Sequence, residues 1–112
     1  MRDRSIYLLT IHDCIQRITR YTAGYTVSDF LADERTQDAV IRNIEIIGQA
    51  VRDYGIADLI KNSPDVPWKQ VAGMRNIIAH EYLGLDLLLT WEVVASHLEQ
   101  LDVAVGEVLS NT

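Results

Sequence analysis

Residues 86–108 read DLLLTWEVVASHLEQLDVAVGEV, and this stretch carries the most regular hydrophobic pattern in the chain. Its apolar side chains recur in alternating steps of four and three positions, at Leu87, Trp91, Val94, Leu98, Leu101, Val105 and Val108. This spacing follows the turn of an α-helix and lines up one apolar face along it. The stretch therefore predicts one long amphipathic helix that begins near Asp86.

Two upstream segments repeat the same spacing and predict two further helices. The first spans roughly residues 3–22, with its apolar stripe at Tyr7, Ile11, Cys14, Ile18 and Tyr21. The second begins near Thr36, a good N-cap residue, and has its stripe at Val40, Ile44, Ile47, Val51 and Tyr54. Gly55 is a suitable stop for it. Between the two helices, Ser28 and Asp29 predict a short capped turn.

Pro64 and Pro67 are the chain's two prolines and predict a break, because proline lacks the N–H that a helix interior needs. A third main helix is expected from Pro67 to about His80, and Gly84 marks the next junction. No segment shows strand alternation over more than a few residues. These patterns predict a single domain over residues 1–112, with an all-α fold of four to five helices in an up-and-down bundle.

The composition of the 112-residue chain excludes several classes of protein. The single cysteine, Cys14, leaves no internal disulfide framework and no cysteine-based zinc site, so a cytoplasmic location is expected. No apolar run reaches the about 18 residues of a membrane helix, and the N-terminus does not resemble a signal peptide. Neither a metal nor a cofactor is predicted.

The charge is uneven along the chain. The formal net charge of −6 argues against a nonspecific nucleic-acid coat. However, seven of the eight arginines lie within residues 1–54, and no lysine or arginine follows Arg75. Five of these arginines are candidates either for a solvated face or for the lining of an RNA groove: Arg17, Arg20, Arg35, Arg42 and Arg52.

The predicted helices carry more apolar surface than a small bundle buries. The extra residues beside the main stripes are Ile41, Ile46, Leu88, Leu89, Val93 and Val103. We expect part of this surface to meet a second subunit in a homodimer. The alternative is that a short fifth helix covers it.

Residues 73–82, GMRNIIAHEY, hold the candidate chemistry. Arg75 carries a planar fork of donors that matches phosphate oxygens, and His80 can donate or accept a proton near neutral pH. Together they are the minimum for cleaving RNA without a metal. On a continuous helix, Arg75 and His80 would lie about 140° apart, whereas Asn76 and His80 would share a face. Two copies across a two-fold axis would bring both sets into one cleft.

The motif Arg75-x4-His80-x-Tyr82, set in MRNIIAHEYLGLD, resembles the RX4HXY signature of HepT-like HEPN-domain proteins. Residues 21–50, YTAGYTVSDFLADERTQDAVIRNIEIIGQA, resemble another block of that family, and PDVPWKQVAGMRN followed by Trp91 matches its later spacing. The resemblance covers nearly the whole chain. Gln49 and Ser63 depart from it, because the family often has Glu and His at these positions.

The resemblance implies a HEPN-like helical dimer and a toxin ribonuclease from a two-gene toxin–antitoxin module. Family members cut RNA with the arginine and histidine that correspond to Arg75 and His80, assisted by Asn76. The implied antitoxin partner is an MntA-like minimal nucleotidyltransferase, which silences the toxin by adding AMP units to the tyrosine at Tyr82 and with which it can form a larger hetero-oligomer. Glu45, inside the matched block, is a candidate for orienting Arg75.

Other interpretations of the same residues stay open at this point. His80 is also suited to capping a helix C-terminus, Arg75 to an ion pair with Glu45 or with an acid of the last helix, and Tyr82 to a half-buried aromatic position. The alternative function is a non-catalytic helical adaptor that binds the nucleotidyltransferase, a nucleotide or both. A purely structural dimer is a third hypothesis.

Overall fold

The computed structural model describes residues 3–80 and 84–111 of the chain. Within these ranges the fold is an all-α bundle, as predicted, with one short antiparallel strand pair. The elements are α1 (Ser5–Tyr21), α2 (Val27–Leu31), α3 (Glu34–Tyr54), α4 (Ile56–Asn62), α5 (Trp68–Ala72), α6 (Met74–Ile78), β1 (Ala79–His80), β2 (Gly84–Leu85), α7 (Leu87–Ser96) and α8 (Leu98–Ser110). No helix in the described ranges is long and apolar enough to span a membrane.

The central helix is α3, which contacts α1, α2, α4, α5 and α6. The predicted apolar stripes of α1 and α3 meet here, and α8 packs on α1 from the other side. Each fully buried Leu, Ile or Val contributes about 1.5–3 kcal/mol to this core. The fully buried aliphatic side chains of the three helices include Leu8, Ile11, Ile18, Val40, Ile44, Ile47, Val51, Val105 and Val108. His12 joins α1 to α8 through Asp102, with 2.7 Å between Nδ1 and Oδ1.

The start of α3 differs from the sequence prediction. Asp33, rather than Thr36, is the N-cap, and its carboxylate accepts a hydrogen bond from the Thr36 backbone N–H at 3.1 Å. The hydroxyls of Thr36 and Tyr25 donate to the same carboxylate at 2.6 and 2.5 Å. These hydrogen bonds favour the charged form and lower the pKa of Asp33 to about 2. Thr36 therefore supports the cap instead of forming it.

The predicted third helix is broken twice, so its continuity was wrong. Gly73 separates α5 from α6, and α6 ends at Ile78. Ala79 and His80 are extended and pair with Leu85 and Gly84. The Asp86 N–H donates to the Ile78 carbonyl at 2.6 Å, which closes this hairpin beside a fully buried Ile78 side chain.

The last predicted helix is also divided, because it has two different partners. It breaks at His97 into α7 and α8. On α7, Trp91 packs on Phe30 of α2 with ring centroids 5.4 Å apart, whereas α8 packs along α1. The chain turns at His97, between the segment that packs on α2 and the segment that packs on α1.

Gly48 on α3 lies directly against the last residue of α5, Ala72. A Cβ built at Gly48 would lie only 2.8 Å from the carbonyl oxygen of Ala72. A backbone oxygen cannot move aside as the end of a flexible side chain can, so only glycine at position 48 lets α3 and α5 approach this closely.

We therefore expect Gly48→Ala to lower the free energy of unfolding by about 1–3 kcal/mol, the usual cost of overpacking. The matched control is Gly106→Ala on α8, where an added Cβ meets nothing within 4 Å. This control should gain up to about 1 kcal/mol from helix propensity. Urea unfolding of both variants measures the difference, and equal stabilities would contradict the packing argument.

Candidate functional site

A polar surface cavity of about 760 Å³ lies between α1, α3 and the junction of α5 with α6. Helix α3 contributes most of its lining, and Tyr7 and Thr10 of α1 form one side. Ala72, Gly73, Arg75 and Asn76 form the other side. The charged side chains that line it are Arg42, Glu45, Arg52, Asp53 and Arg75, which sum to one positive charge.

Arg75 is anchored in this cavity by Glu45. It is the second residue of α6, and its Nε donates to Glu45 Oε1 at 2.8 Å. The Arg75 side chain is 51% exposed. Since Nε makes this contact, the two terminal nitrogens have no partner among the described residues and remain available as a fork for an oxyanion.

Glu45 also approaches a second arginine. Its Oε2 lies 3.7 Å from Nη1 of Arg42, one helical turn earlier on α3. One carboxylate therefore stands between two guanidinium groups. Exposed ion pairs of this kind contribute about 0–1 kcal/mol to stability, so these contacts add little to the stability of the fold.

Arg52 binds the two sides of the cavity together. Its Nη1 donates to the carbonyl oxygen of Ala72, and its Nη2 donates to Gln49 Oε1 at 3.1 Å. Gln49 in turn donates to Asp53 Oδ1 at 2.9 Å. This network attaches the end of α5 to α3, two residues before the start of the helix that carries Arg75.

Three of the predicted site residues, Glu45, Arg75 and Asn76, come together in this one cavity. The backbone of His80 lies in β1, two residues after α6 ends. The angular relations predicted for a continuous helix therefore do not apply. The side chain of His80 and the whole of Tyr82 lie outside the described residues.

The cavity also includes residues that the sequence analysis did not single out as site residues. Arg42 and Arg52 were candidates for either a solvated face or a groove, and both line the cavity. Gln49, Tyr7 and Thr10 were not predicted. One signal was present in the sequence, since the polar positions Arg42, Glu45, Gln49 and Arg52 step by 3, 4 and 3 along one face of α3.

No group of three or more His, Cys, Asp or Glu side chains within the described ranges is placed to hold a metal ion. Cys14 is fully buried in the core, and burial raises the pKa of its thiol. The polar groups that face the cavity are arginine, amide, hydroxyl and carboxylate groups. Three arginines face two carboxylates in this cavity. This excess of positive charge suits an anionic ligand.

Comparison with known proteins identifies relatives over nearly the whole chain. The family model "Ribonuclease HepT-like" matches residues 11–108. "Probable ribonuclease HepT" of Thermococcus cleftensis is 36% identical over 100 residues, which are 89% of this chain and 90% of that protein. "Gamma-glutamylcyclotransferase and putative RNase MJ0434" of Methanocaldococcus jannaschii is 42% identical over 100 residues, 89% of this chain but only 45% of that protein. No solved structure matches.

Proposed function

Because the chain belongs to the HepT-like ribonuclease family, we propose that it is a metal-independent RNA endonuclease with Arg75 and His80 as its catalytic residues. Ribonuclease is the activity that this family carries. The observation that carries the proposal is the anchoring of Arg75 through Nε, which leaves its terminal nitrogens for a phosphate in a cavity of net positive charge. Asn76 lines the same cavity and is an additional hydrogen-bond donor.

The proposed reaction uses only groups of the RNA and of this chain. The 2′-oxygen of a ribose attacks the neighbouring phosphorus, and the bond from phosphorus to the 5′-oxygen breaks. The 2′-hydroxyl loses its proton and the departing 5′-oxygen gains one, which leaves a cyclic 2′,3′-phosphate and a 5′-hydroxyl. His80 performs one of the two proton transfers, and Arg75 stabilises the charge that develops on the phosphoryl oxygens.

In this proposal Glu45 is a positioning residue. It touches Arg75 rather than the reacting atoms, and its hydrogen bond to Nε sets the direction of the guanidinium plane. A fixed donor geometry matters most where the phosphoryl group changes shape in the transition state. Loss of Glu45 should therefore affect the chemical step more than the binding of RNA.

The proposed active form is a homodimer, and apolar surface beside the site supports this part. Helix α6 has Arg75 and Asn76 in the polar cavity, while Ile77, on the same helix, is 49% exposed. Ile77 lines a second, mainly apolar cavity of about 310 Å³ together with Met74 and Leu89. A second copy docked there would lie next to the polar cavity.

The proposal includes a role as the toxin of a toxin–antitoxin module. The partner would be a MntA-like nucleotidyltransferase that modifies Tyr82, within a hetero-oligomer of the two proteins. In this step the tyrosine oxygen attacks the α-phosphorus of ATP, pyrophosphate leaves, and the hydroxyl proton passes to solvent or base. AMP at Tyr82, two residues from His80, would place bulk and negative charge where RNA phosphate binds.

A cytoplasmic location stays a prediction from the single cysteine.

The first test is cleavage of RNA by the purified protein. We expect cleavage to persist in EDTA, and His80→Ala and Arg75→Ala each to lower its rate at least about a hundredfold, as the loss of a proton-transfer group or a charge-stabilising donor does. Lys61→Ala, which removes an exposed side chain of α4 that lines neither cavity, is the control. Full activity of His80→Ala would refute its catalytic role, and a stable complex with the nucleotidyltransferase but no cleavage by the wild type would favour the adaptor.

The second test addresses Glu45. Glu45→Ala should lower kcat about tenfold with little change in KM, because it misdirects Arg75 in the transition state. Glu45→Gln keeps an oxygen that can accept from Nε and should recover part of the activity. Glu99→Ala, an exposed acid on α8, serves as the control. A rise in KM with unchanged kcat would contradict a positioning role.

Modification of Tyr82 is tested by co-expression with the nucleotidyltransferase. Intact-mass spectrometry should show mass added in AMP steps on the wild type and none on Tyr82→Phe. Tyr21→Phe, an exposed tyrosine of α1, should be modified like the wild type. Equal modification of Tyr82→Phe would show that another residue is the acceptor.

The dimer is tested by light scattering at micromolar concentration. We expect a dimer mass for the wild type and a monomer mass for Ile77→Glu, because a buried, unpaired carboxylate opposes association. Val103→Glu replaces an apolar residue on α8 that is 59% exposed and should remain dimeric. A monomer mass for the wild type would count against the shared cleft.

A further inference from the structure

The polar cavity extends along α3 on both sides of Arg75. Arg4 donates to the Tyr54 carbonyl at 2.7 Å, so the start of α1 lies beside the end of α3. Tyr7, one turn after Arg4, therefore lies toward the C-terminal end of α3. Arg42 lies in its N-terminal half, twelve residues or about 18 Å before Tyr54 along the helix axis. Glu45 and the bound Arg75 stand between the Tyr7 and Arg42 ends.

Arg42 is the cavity arginine that the fold uses least. Its side chain is 72% exposed, and its contact in the described structure is the 3.7 Å approach to Glu45. Arg52, in contrast, uses both terminal nitrogens on Ala72 and Gln49. The guanidinium of Arg42 is thus available for a ligand.

A second arginine, Arg17, lies near Arg42. Burial raises the pKa of the Cys14 thiol; the charges of Arg17 and Arg42 lower this pKa, and the charge of Asp13 raises it. Both arginines therefore lie close to one buried sulfur, on neighbouring helices α1 and α3. Arg17 Nη1 is 3.9 Å from that sulfur.

Tyr7 provides an aromatic surface at the other end. Its side chain is half-buried against the core and lines the cavity. A groove that combines arginines with a partly exposed aromatic ring is typical of single-stranded nucleic-acid binding, in which bases stack on the ring and arginines follow the phosphates.

We infer that the cavity binds a single strand of RNA along α3, with Arg42 on a phosphate next to the one at Arg75 and with Tyr7 stacked on a base on the other side. The inference rests on the proposed ribonuclease function and adds the form of RNA that the site takes. A cavity of about 760 Å³ matches a small-ligand pocket, whereas proteins read double-stranded RNA across a wide, shallow minor groove.

The test measures binding separately from cleavage. A fluorescein-labelled single-stranded RNA with 2′-O-methyl groups at every ribose lacks the attacking hydroxyl, so the wild-type protein binds it without cutting. Fluorescence anisotropy gives Kd over a series of salt concentrations. Arg42→Gln should raise Kd about tenfold and reduce the slope of log Kd against log salt by about 0.7, the contribution of one phosphate contact on a single strand.

Tyr7 is tested with a pair of variants. Tyr7→Leu should raise Kd about tenfold without changing the salt slope, whereas Tyr7→Phe keeps the stacking surface and should bind like the wild type. Lys61→Gln, which removes an equal charge from α4 outside the cavity lining, is the control. Thermal melting shows whether each variant is folded.

Three binding results and one cleavage result would overturn the inference. The binding results are equal effects of Arg42→Gln and Lys61→Gln, no binding of the strand by the wild type, and tighter binding of an RNA duplex. Each is distinguishable from failure of the proposed function, which concerns cutting. RNA cleavage that does not depend on Arg42 or Tyr7 would leave the ribonuclease proposal intact and remove this inference. If strand binding depends on both Arg42 and Tyr7 but unmodified RNA is not cleaved, the inference about binding stands and the ribonuclease proposal fails.

Discussion

The position of Arg75 beside Glu45 depends on the close approach of α3 and α5 at Gly48 and Ala72. Gly48 leaves room for the Ala72 carbonyl, and Arg52 donates a hydrogen bond to the same oxygen. Because α6 begins two residues later, this contact also sets the distance from Arg75 to Glu45. The lack of a side chain at Gly48 and the hydrogen bond from Arg52 thus align α3 with α5. The geometry of the site follows from the packing of the core.

The charge distribution fits an anion site on an acidic protein. The net charge of −6 averages over a surface whose polar cavity is locally positive. Part of the acidity has a structural role, since Asp102 on α8 contacts His12 and Gln16 of α1. Asp33 likewise caps α3 and binds two hydroxyls. Local placement of a few arginines therefore matters more for the ligand than the overall sum.

The accuracy of the sequence predictions varied with the kind of signal. The stripes of α1 and α3 were predictable because burial of one helix face leaves a periodic pattern. The breaks at Gly73 and His97 were not, since neither interrupts the apolar spacing. The exchange of Thr36 for Asp33 as N-cap shows the same limit. Both are good caps, and the choice depends on Tyr25, which reaches Asp33 only in the folded chain.

The sequence by itself determined the all-α class, the family and the presence of Glu45, Arg75 and Asn76 as candidates, because helical periodicity and motif spacing are local. Only the tertiary structure decided that these three share one cavity with Arg42, Arg52 and Tyr7. It also decided that the helix carrying Arg75 ends before His80. Contacts between helices depend on which faces meet and how closely. That is a property of the packed core, which no single segment encodes.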